Sequence, residues 1–446
     1  MASKFIGFLS VLFILCFGLV CILAEEVAKP YKIVFDSKEW DQLKLRLIST
    51  IDLMNNDWQK HNALIPIHSS HDKRWKMGTD IDQLKSLVEY WRDSYDWEAH
   101  VESMNKYMPH FETIVDEITV RFAWRRAKNP GQKVILIVHG WPGSVWEFNK
   151  IIDTLCNDHG FDVVAPSIPG YGYSSVPTQH GYDYEGAANT FIKLMQKLGY
   201  DKYIVQGGDW GSFIGEFVAR NDPDHCIGYH SNMCVSIPKW QDFVSLAVGY
   251  VKGKLFGSDE SQTEELTMSN FVTDVLKYIT EEGGYQQMQT TKPDSIGVAF
   301  LDSPVGLLNY IIDKFFAWSD LQERDETNLF NKISRDDILT NVMIYYTTRT
   351  IATSMRLYYN TKTNPNHEKM YKKQALKTPT ACAVFNDLFR SPKATAERNF
   401  NLVQYTRYNK GGHFAALELP KELVEDIVNF YNKLSTVNDS KEKTEL

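Results

Sequence analysis

The chain has 446 residues, 43% of them hydrophobic and 13% aromatic, enough for a large core and an apolar cavity. Forty-eight Lys and Arg against 56 Asp and Glu leave a formal charge of −8, which argues against nucleic acid as a partner. Six cysteines show neither CxxC nor Cys/His ligand spacing, so no metal site is expected, and Cys156, Cys226, Cys234 and Cys382 read as buried free thiols rather than disulfides.

Residues 1–24 form the first segment. Phe5 to Ala24 is an uncharged apolar run that also holds Cys16 and Cys21. As a helix it reaches about 30 Å, one hydrocarbon core, which favours a membrane anchor over the shorter apolar region of a cleaved signal. Lys4 precedes the run and Glu25–Glu26 follow it, a bias that directs the body to the lumen. The chain ends Lys443-Thr444-Glu445-Leu446, one residue from the Lys-Asp-Glu-Leu retrieval address of the endoplasmic reticulum. On the luminal side, Asn438-Asp439-Ser440 would be a glycosylation acceptor.

Residues 25–130 make an N-terminal region of mostly helical pattern, with Ile81, Leu84, Leu87, Val88 and Trp91 on one stripe and a strand at 120–124. Strands and helices then alternate through 131–235. The strands fall at 134–140, after 161, at 203–206 and near 227–231; the helices fall at 146–158, 183–199 and 210–221. This is the sequence form of an α/β fold with a parallel sheet. From 236 to 375 the pattern is helical and aromatic, an inserted lid. In 376–446 strands return at 380–385 and 402–408, and an amphipathic helix follows.

The stretch "QGGDWGS" places Asp209 where a strand-to-helix elbow carries its nucleophile, between small residues that let neighbouring backbone approach. "HGWPG", 139–143, follows a buried strand, so the amides of Trp141 and Trp210 can meet developing negative charge. His413, after the last strand, is the expected general base. Asp387, just past strand 380–385, is the expected acid behind it and is preferred over Glu397, which sits in a helical stretch. A carboxylate, unlike a serine, attacks saturated carbon and leaves an alkyl ester on itself. The elbow therefore suits an epoxide or a carbon–halogen bond. His139 is expected to brace its loop rather than titrate.

These segments, with "YWRDSYDWEAHVESMNKYMPHF", "SIPGYGYS", "TKPDSIGVAFLDSPVGL", "NVMIYYTT" and "GGHFAALELP", resemble the microsomal-type epoxide hydrolases of the α/β-hydrolase fold, including the insect juvenile hormone epoxide hydrolases. The likeness covers nearly the whole chain after the apolar run. It implies an enzyme that takes a small apolar epoxide and water to a vicinal diol, without metal or organic cofactor. It also implies an N-terminal segment wrapping the lid and single-pass residence in the endoplasmic reticulum membrane. The family's nucleophile falls on Asp209 and its base on His413. Its relay acid falls on Asp387, where the mammalian enzymes carry glutamate. Its two lid phenols fall on Tyr285 and Tyr358, the latter beside Tyr359. A haloalkane dehalogenase-like hydrolase and a non-catalytic lipid-binding relative are the rival readings.

Overall fold

The computed structural model describes residues 27–58, 75, 77–242, 244, 266–321, 326–365 and 374–442. The apolar run with Cys16 and Cys21, and the terminal Lys443–Leu446, lie outside them. Among the described residues no single helix is long and apolar enough to cross a membrane.

Nine strands form one sheet: β1 (Lys29–Tyr31), β2 (His110–Val115), β3 (Ile118–Arg125), β4 (Lys133–Val138), β5 (Phe161–Pro166), β6 (Tyr203–Gly207), β7 (Cys226–Ser231), β8 (Leu376–Val384) and β9 (Phe400–Arg407). Their spatial order is β1-β2-β3-β5-β4-β6-β7-β8-β9. From β5 through β9 neighbouring strands pair in parallel, while β1, β2 and β3 add an antiparallel margin against β5. β4, near the middle of the sheet, is apolar after Lys133 because both its faces are covered: Ile135, Leu136, Ile137 and Val138 have no exposed surface. The N-terminal region is thus less helical than its pattern suggests, since β1 to β3 all come from it. The expected helix 146–158 is a 3₁₀ turn, Val145–Phe148, followed by a short helix, Ile152–Asn157.

Asp183 opens the helix Tyr184–Lys197 by accepting from the amides of Glu185 and Gly186, an ordinary carboxylate cap. The helix Trp210–Asn221 opens differently, on Asp209, whose side chain makes no cap bond and is free for other work.

Between β7 and β8 the described helices are Met268–Lys277, Gly284–Thr291, Pro293–Asp302, Pro304–Trp318, Glu326–Lys332, Arg335–Thr348 and Ile351–Thr363. Pro304–Trp318 is buried nearly all round, with Leu307, Leu308, Ile311, Ile312, Phe315 and Phe316 inside. The N-terminal helices strap this layer from outside. Trp75 stacks on Phe316 at 3.7 Å, Tyr90 donates to Asp336 at 2.8 Å, and Arg349 bonds Glu39 at 2.6 Å. Stripe residues Leu84, Leu87, Val88 and Trp91 are buried beneath them.

One expectation is overturned. Cys234 and Cys382 are joined by a disulfide, with Cα atoms 5.6 Å apart at a sequence separation of 148. β7 and β8 are neighbours, with Ser231 opposite Cys382, so the chain leaving β7 delivers Cys234 to Cys382. Linear spacing carried no trace of that neighbourhood. Cys156 and Cys226 are free and buried.

Candidate active site

Asp209 has φ 49° and ψ −127°, a backbone conformation unusual for a residue with a side chain, costing about 1–3 kcal/mol. The neighbouring glycines permit it. A Cβ on Gly207 would lie 2.1 Å from the Gly211 carbonyl oxygen, and one on Gly211 would lie 1.9 Å from that of Val138. The elbow lifts the carboxylate off the end of β6 toward the loop after β4, where a Cβ on Gly140 would meet Asp209 Oδ1 at 2.3 Å. Close backbone approach is what the two Gly-rich loops provide.

The Trp141 amide donates to Asp209 Oδ1 at 2.8 Å, and the Trp210 amide, next in the chain, also favours the ionised carboxylate. Burial raises the Asp209 pKa, against the nearby His413 and those two amides, which favour the ionised form. His413 Nε2 is 3.7 Å from Asp209 Oδ2, beyond direct hydrogen-bonding distance. His413 Nδ1 is 2.8 Å from Asp387 Oδ1. Burial works against the imidazolium, but Asp387, joined by Asp209 and Glu147, outweighs it and raises the His413 pKa to about 9. Of the three side chains Asp209 is the most accessible, at 18% exposure against 4% for His413 and 2% for Asp387. Glu397, the rival acid, pairs with Lys393 at 3.9 Å on an exposed face and takes no part.

Tyr285 and Tyr358 come from separate lid helices and meet over the elbow. Their ring centroids are 5.9 Å apart at 82°, Tyr285 stacks on Trp141 at 5.2 Å, and Tyr358 stands edge-on to Trp210 at 4.7 Å. Tyr359 is exposed and turned out of this cluster. Burial, then neighbouring tyrosine and Asp209, holds both phenols well above their ordinary pKa, so each keeps its proton. The Tyr358 hydroxyl and the Trp141 and Trp210 indole nitrogens are buried without a hydrogen-bond partner of standard geometry among the described residues. Buried donors left open cost stability unless a ligand supplies the acceptor.

His139 accepts from the Ile168 amide at Nε2, so its Nδ1 carries the proton toward the Gly140 carbonyl. Burial lowers its pKa to about 4, so it braces the loop as a neutral ring.

Two carboxyl groups escaped the sequence reading. Glu147 lines the same small cavity as Asp209 and His413, and burial raises its pKa to about 8. Glu418 accepts from the amides of Asp320, Gly412 and Phe414, tying the loop on both sides of His413 to the lid segment after Trp318. The His413 amide itself donates to the Trp318 carbonyl at 3.0 Å. Glu147 lies one helical turn past Gly143, a faint signal; nothing in the sequence marks Glu418. Among the described residues no cluster of His, Cys, Asp and Glu could hold a metal ion.

A carboxylate on a strained elbow, a paired imidazole and two opposed phenols thus share one site. Residues 28–148 match the model of the epoxide hydrolase N terminus, and 133–420 match that of the alpha/beta hydrolase fold. Epoxide hydrolase 1 of Sus scrofa is 35% identical over 92% of this chain and 90% of its own length. The chain belongs to the epoxide hydrolases. Juvenile hormone epoxide hydrolase 1 of Ctenocephalides felis is 34% identical, covering 94% of this chain and 88% of itself. The crystal structure of juvenile hormone epoxide hydrolase from Bombyx mori superposes with a TM-score of 0.79 at 30% identity, covering 92% and 95%. That of the Aspergillus niger epoxide hydrolase gives 0.72 at 26%, covering 91% and 96%. In this epoxide hydrolase the sheet ends and the lid contribute to one enclosed site.

Proposed function

We propose that this chain hydrolyses apolar epoxides to vicinal diols through a covalent ester on Asp209. Asp209 attacks ring carbon in line while Tyr285 and Tyr358 hold the ring oxygen and one of them protonates it as the C–O bond opens. The ester carbonyl is then the side chain's own. His413, oriented by Asp387, removes a proton from water, and the hydroxide adds to that carbonyl. The Trp141 amide, already hydrogen-bonded to the carboxylate, and the Trp210 amide beside it receive the oxyanion. The observation that carries this reading is the pair of protonated phenols buried opposite an elbow carboxylate whose Oδ2 lies 3.7 Å from the imidazole.

The aromatic walls support an apolar substrate, in keeping with relatives named for juvenile hormone. The run Phe5–Ala24 supports attachment to the endoplasmic reticulum membrane. The Cys234–Cys382 disulfide favours a body on the oxidising, luminal side. Resistance of the native protein to alkaline extraction from microsomes checks the first point. Protection of the body from added protease in sealed vesicles checks the second.

Single-turnover reaction in ¹⁸O-water tests the chemistry. The first diol formed carries an oxygen from Asp209, and label enters the protein at that residue. Solvent label in the first diol refutes the covalent route.

A further inference from the structure

The hydroxyl of Tyr285 has a second neighbour. Tyr278, at the start of the π-helical turn Tyr278–Glu282, places its Oη 3.2 Å from that of Tyr285 and 2.9 Å from Gln286 Oε1. Its ring is buried, edge-on to Tyr285 and packed against Phe389 at 4.9 Å. On its other side Tyr278 lines a polar cleft between lid and sheet, together with Asp274, Lys277, Glu282, Asn386, Asp387 and Arg390. Lys277 is exposed, so the cleft reaches the surface. A chain of two phenols therefore runs from the site at Asp209 to a polar, charged cleft open to the surface.

Lys314 completes the arrangement. Its side chain is 7% exposed, its Nζ lies 2.7 Å from Asp313 and 3.8 Å from Glu282, and it sits 5.2 Å from the centroid of the Tyr285 ring. A cation at that distance favours the phenolate form of the ring beneath it.

The proton count of the reaction needs such a route. When the ring opens, the O–H bond of Tyr285 breaks and its proton goes to the ring oxygen, while the carbon–Asp209 bond forms. Water then gives hydroxide to the ester carbonyl and a proton to His413. Collapse of the intermediate releases an alkoxide, which takes the His413 proton. Asp209 is left protonated and Tyr285 is left as phenolate. One proton must leave the carboxyl and one must reach the phenolate before the next substrate binds.

Resting on the assignment of Tyr285 as an acid for the ring oxygen, we propose that Tyr278 reprotonates Tyr285 with a proton drawn from water in the polar cleft, and that Lys314 steadies the phenolate meanwhile. The Tyr278 O–H breaks as the Tyr285 O–H forms. Cleft water restores Tyr278, and the Asp209 proton departs to solvent. No electron changes hands.

Tyr278→Phe tests this, because it keeps the ring packing and removes only the relay hydroxyl. With styrene oxide and excess enzyme, rapid quench reads formation of the Asp209 ester, for which Tyr285 arrives already protonated. That rate should stay within about 2-fold of wild type, while steady-state turnover per mole of ester-forming sites falls about 10-fold or more. Normalising to ester-forming sites counts folded molecules alone, so partial misfolding does not blur the result. Imidazole buffer, a small proton donor able to enter the cleft, should restore part of the turnover. In a Tyr285→Phe background the Tyr278→Phe change should add nothing. Equal slowing of both phases, unchanged turnover, or additive effects in the double variant would overturn the relay. Absence of any Asp209 ester in the wild type would overturn the parent reading, and the relay with it, and is seen before any variant is made.

Discussion

In the sheet, the reacting groups leave the ends of parallel strands: Asp209 follows β6, and Asp387 and His413 follow the neighbouring β8 and β9, with β7 between. Backbone holds them, through a strained elbow, glycines at positions where any Cβ would clash and an amide aimed at the carboxylate. In the lid, Tyr285 and Tyr358 come from helices that share no strand or ladder, and side-chain packing holds them: stacking on Trp141, edge contact with Trp210 and a hydrogen bond to Tyr278. The sheet half is rigid because displacing it breaks backbone geometry. The lid half is held by aromatic side-chain contacts, each of which a single substitution can remove without touching the backbone.

The sharpest way to break the contrast is at the nucleophile. Asp209→Ala should lower turnover at least about 10⁴-fold, measured by diol formation, with unchanged thermal stability or a gain, since the strained residue loses its buried carboxylate. Residual activity near wild type would remove the covalent mechanism altogether.

His413→Gln should separate the two chemical steps. Ester formation persists while its hydrolysis slows about 10³-fold, so intact-protein mass spectrometry should find the chain heavier by one substrate. An unmodified chain after incubation contradicts the division of labour between Asp209 and His413.

The lid should respond more mildly. Tyr358→Phe leaves Tyr285 in place and should slow ester formation about 100-fold, with ester hydrolysis within a few-fold of wild type. A collapse as deep as that of Asp209→Ala would mean that the lid is as unforgiving as the sheet.

Glu418 joins the halves, and its removal should be felt in both. Glu418→Ala leaves the amides of Asp320, Gly412 and Phe414 without their acceptor. A loss of about 2 kcal/mol in denaturant unfolding is expected, with a smaller fall in ester hydrolysis.

The smallest effect is in the pH dependence. In the free enzyme three nearby carboxyl groups, Asp387 foremost, keep the proton on His413 up to about 9. Once Asp209 is esterified, one of those charges is gone and the imidazole releases its proton more readily. Ester decay followed by stopped flow should therefore rise with pH, because only neutral imidazole accepts the water proton, and should reach half its maximum below pH 9. A midpoint at or above that value contradicts the role of Asp209 in holding the proton.

Much of the sheet half was legible in the residues. A glycine-flanked acid after an apolar strand announces an elbow, because few other sequences can take that turn, and the alternation of strands and helices announces the parallel sheet. The strand ends set the order of Asp209, Asp387 and His413 before any contact was known. Tyr285 and Tyr358 were reached through family resemblance, since among 23 tyrosines no spacing distinguishes them. β1 and β2 escaped notice because their paired partners, not their own residues, define them as strands. What the chain alone determined is local: which turns strain the backbone, which runs must be buried on both faces, and which side chains carry chemistry. Tertiary structure alone decided the rest, namely the Cys234–Cys382 bond, the carboxyls of Glu147 and Glu418 at the histidine, and the Tyr278–Tyr285 contact behind the site. Each depends on distances set by the packing of several elements, and linear order does not encode such distances.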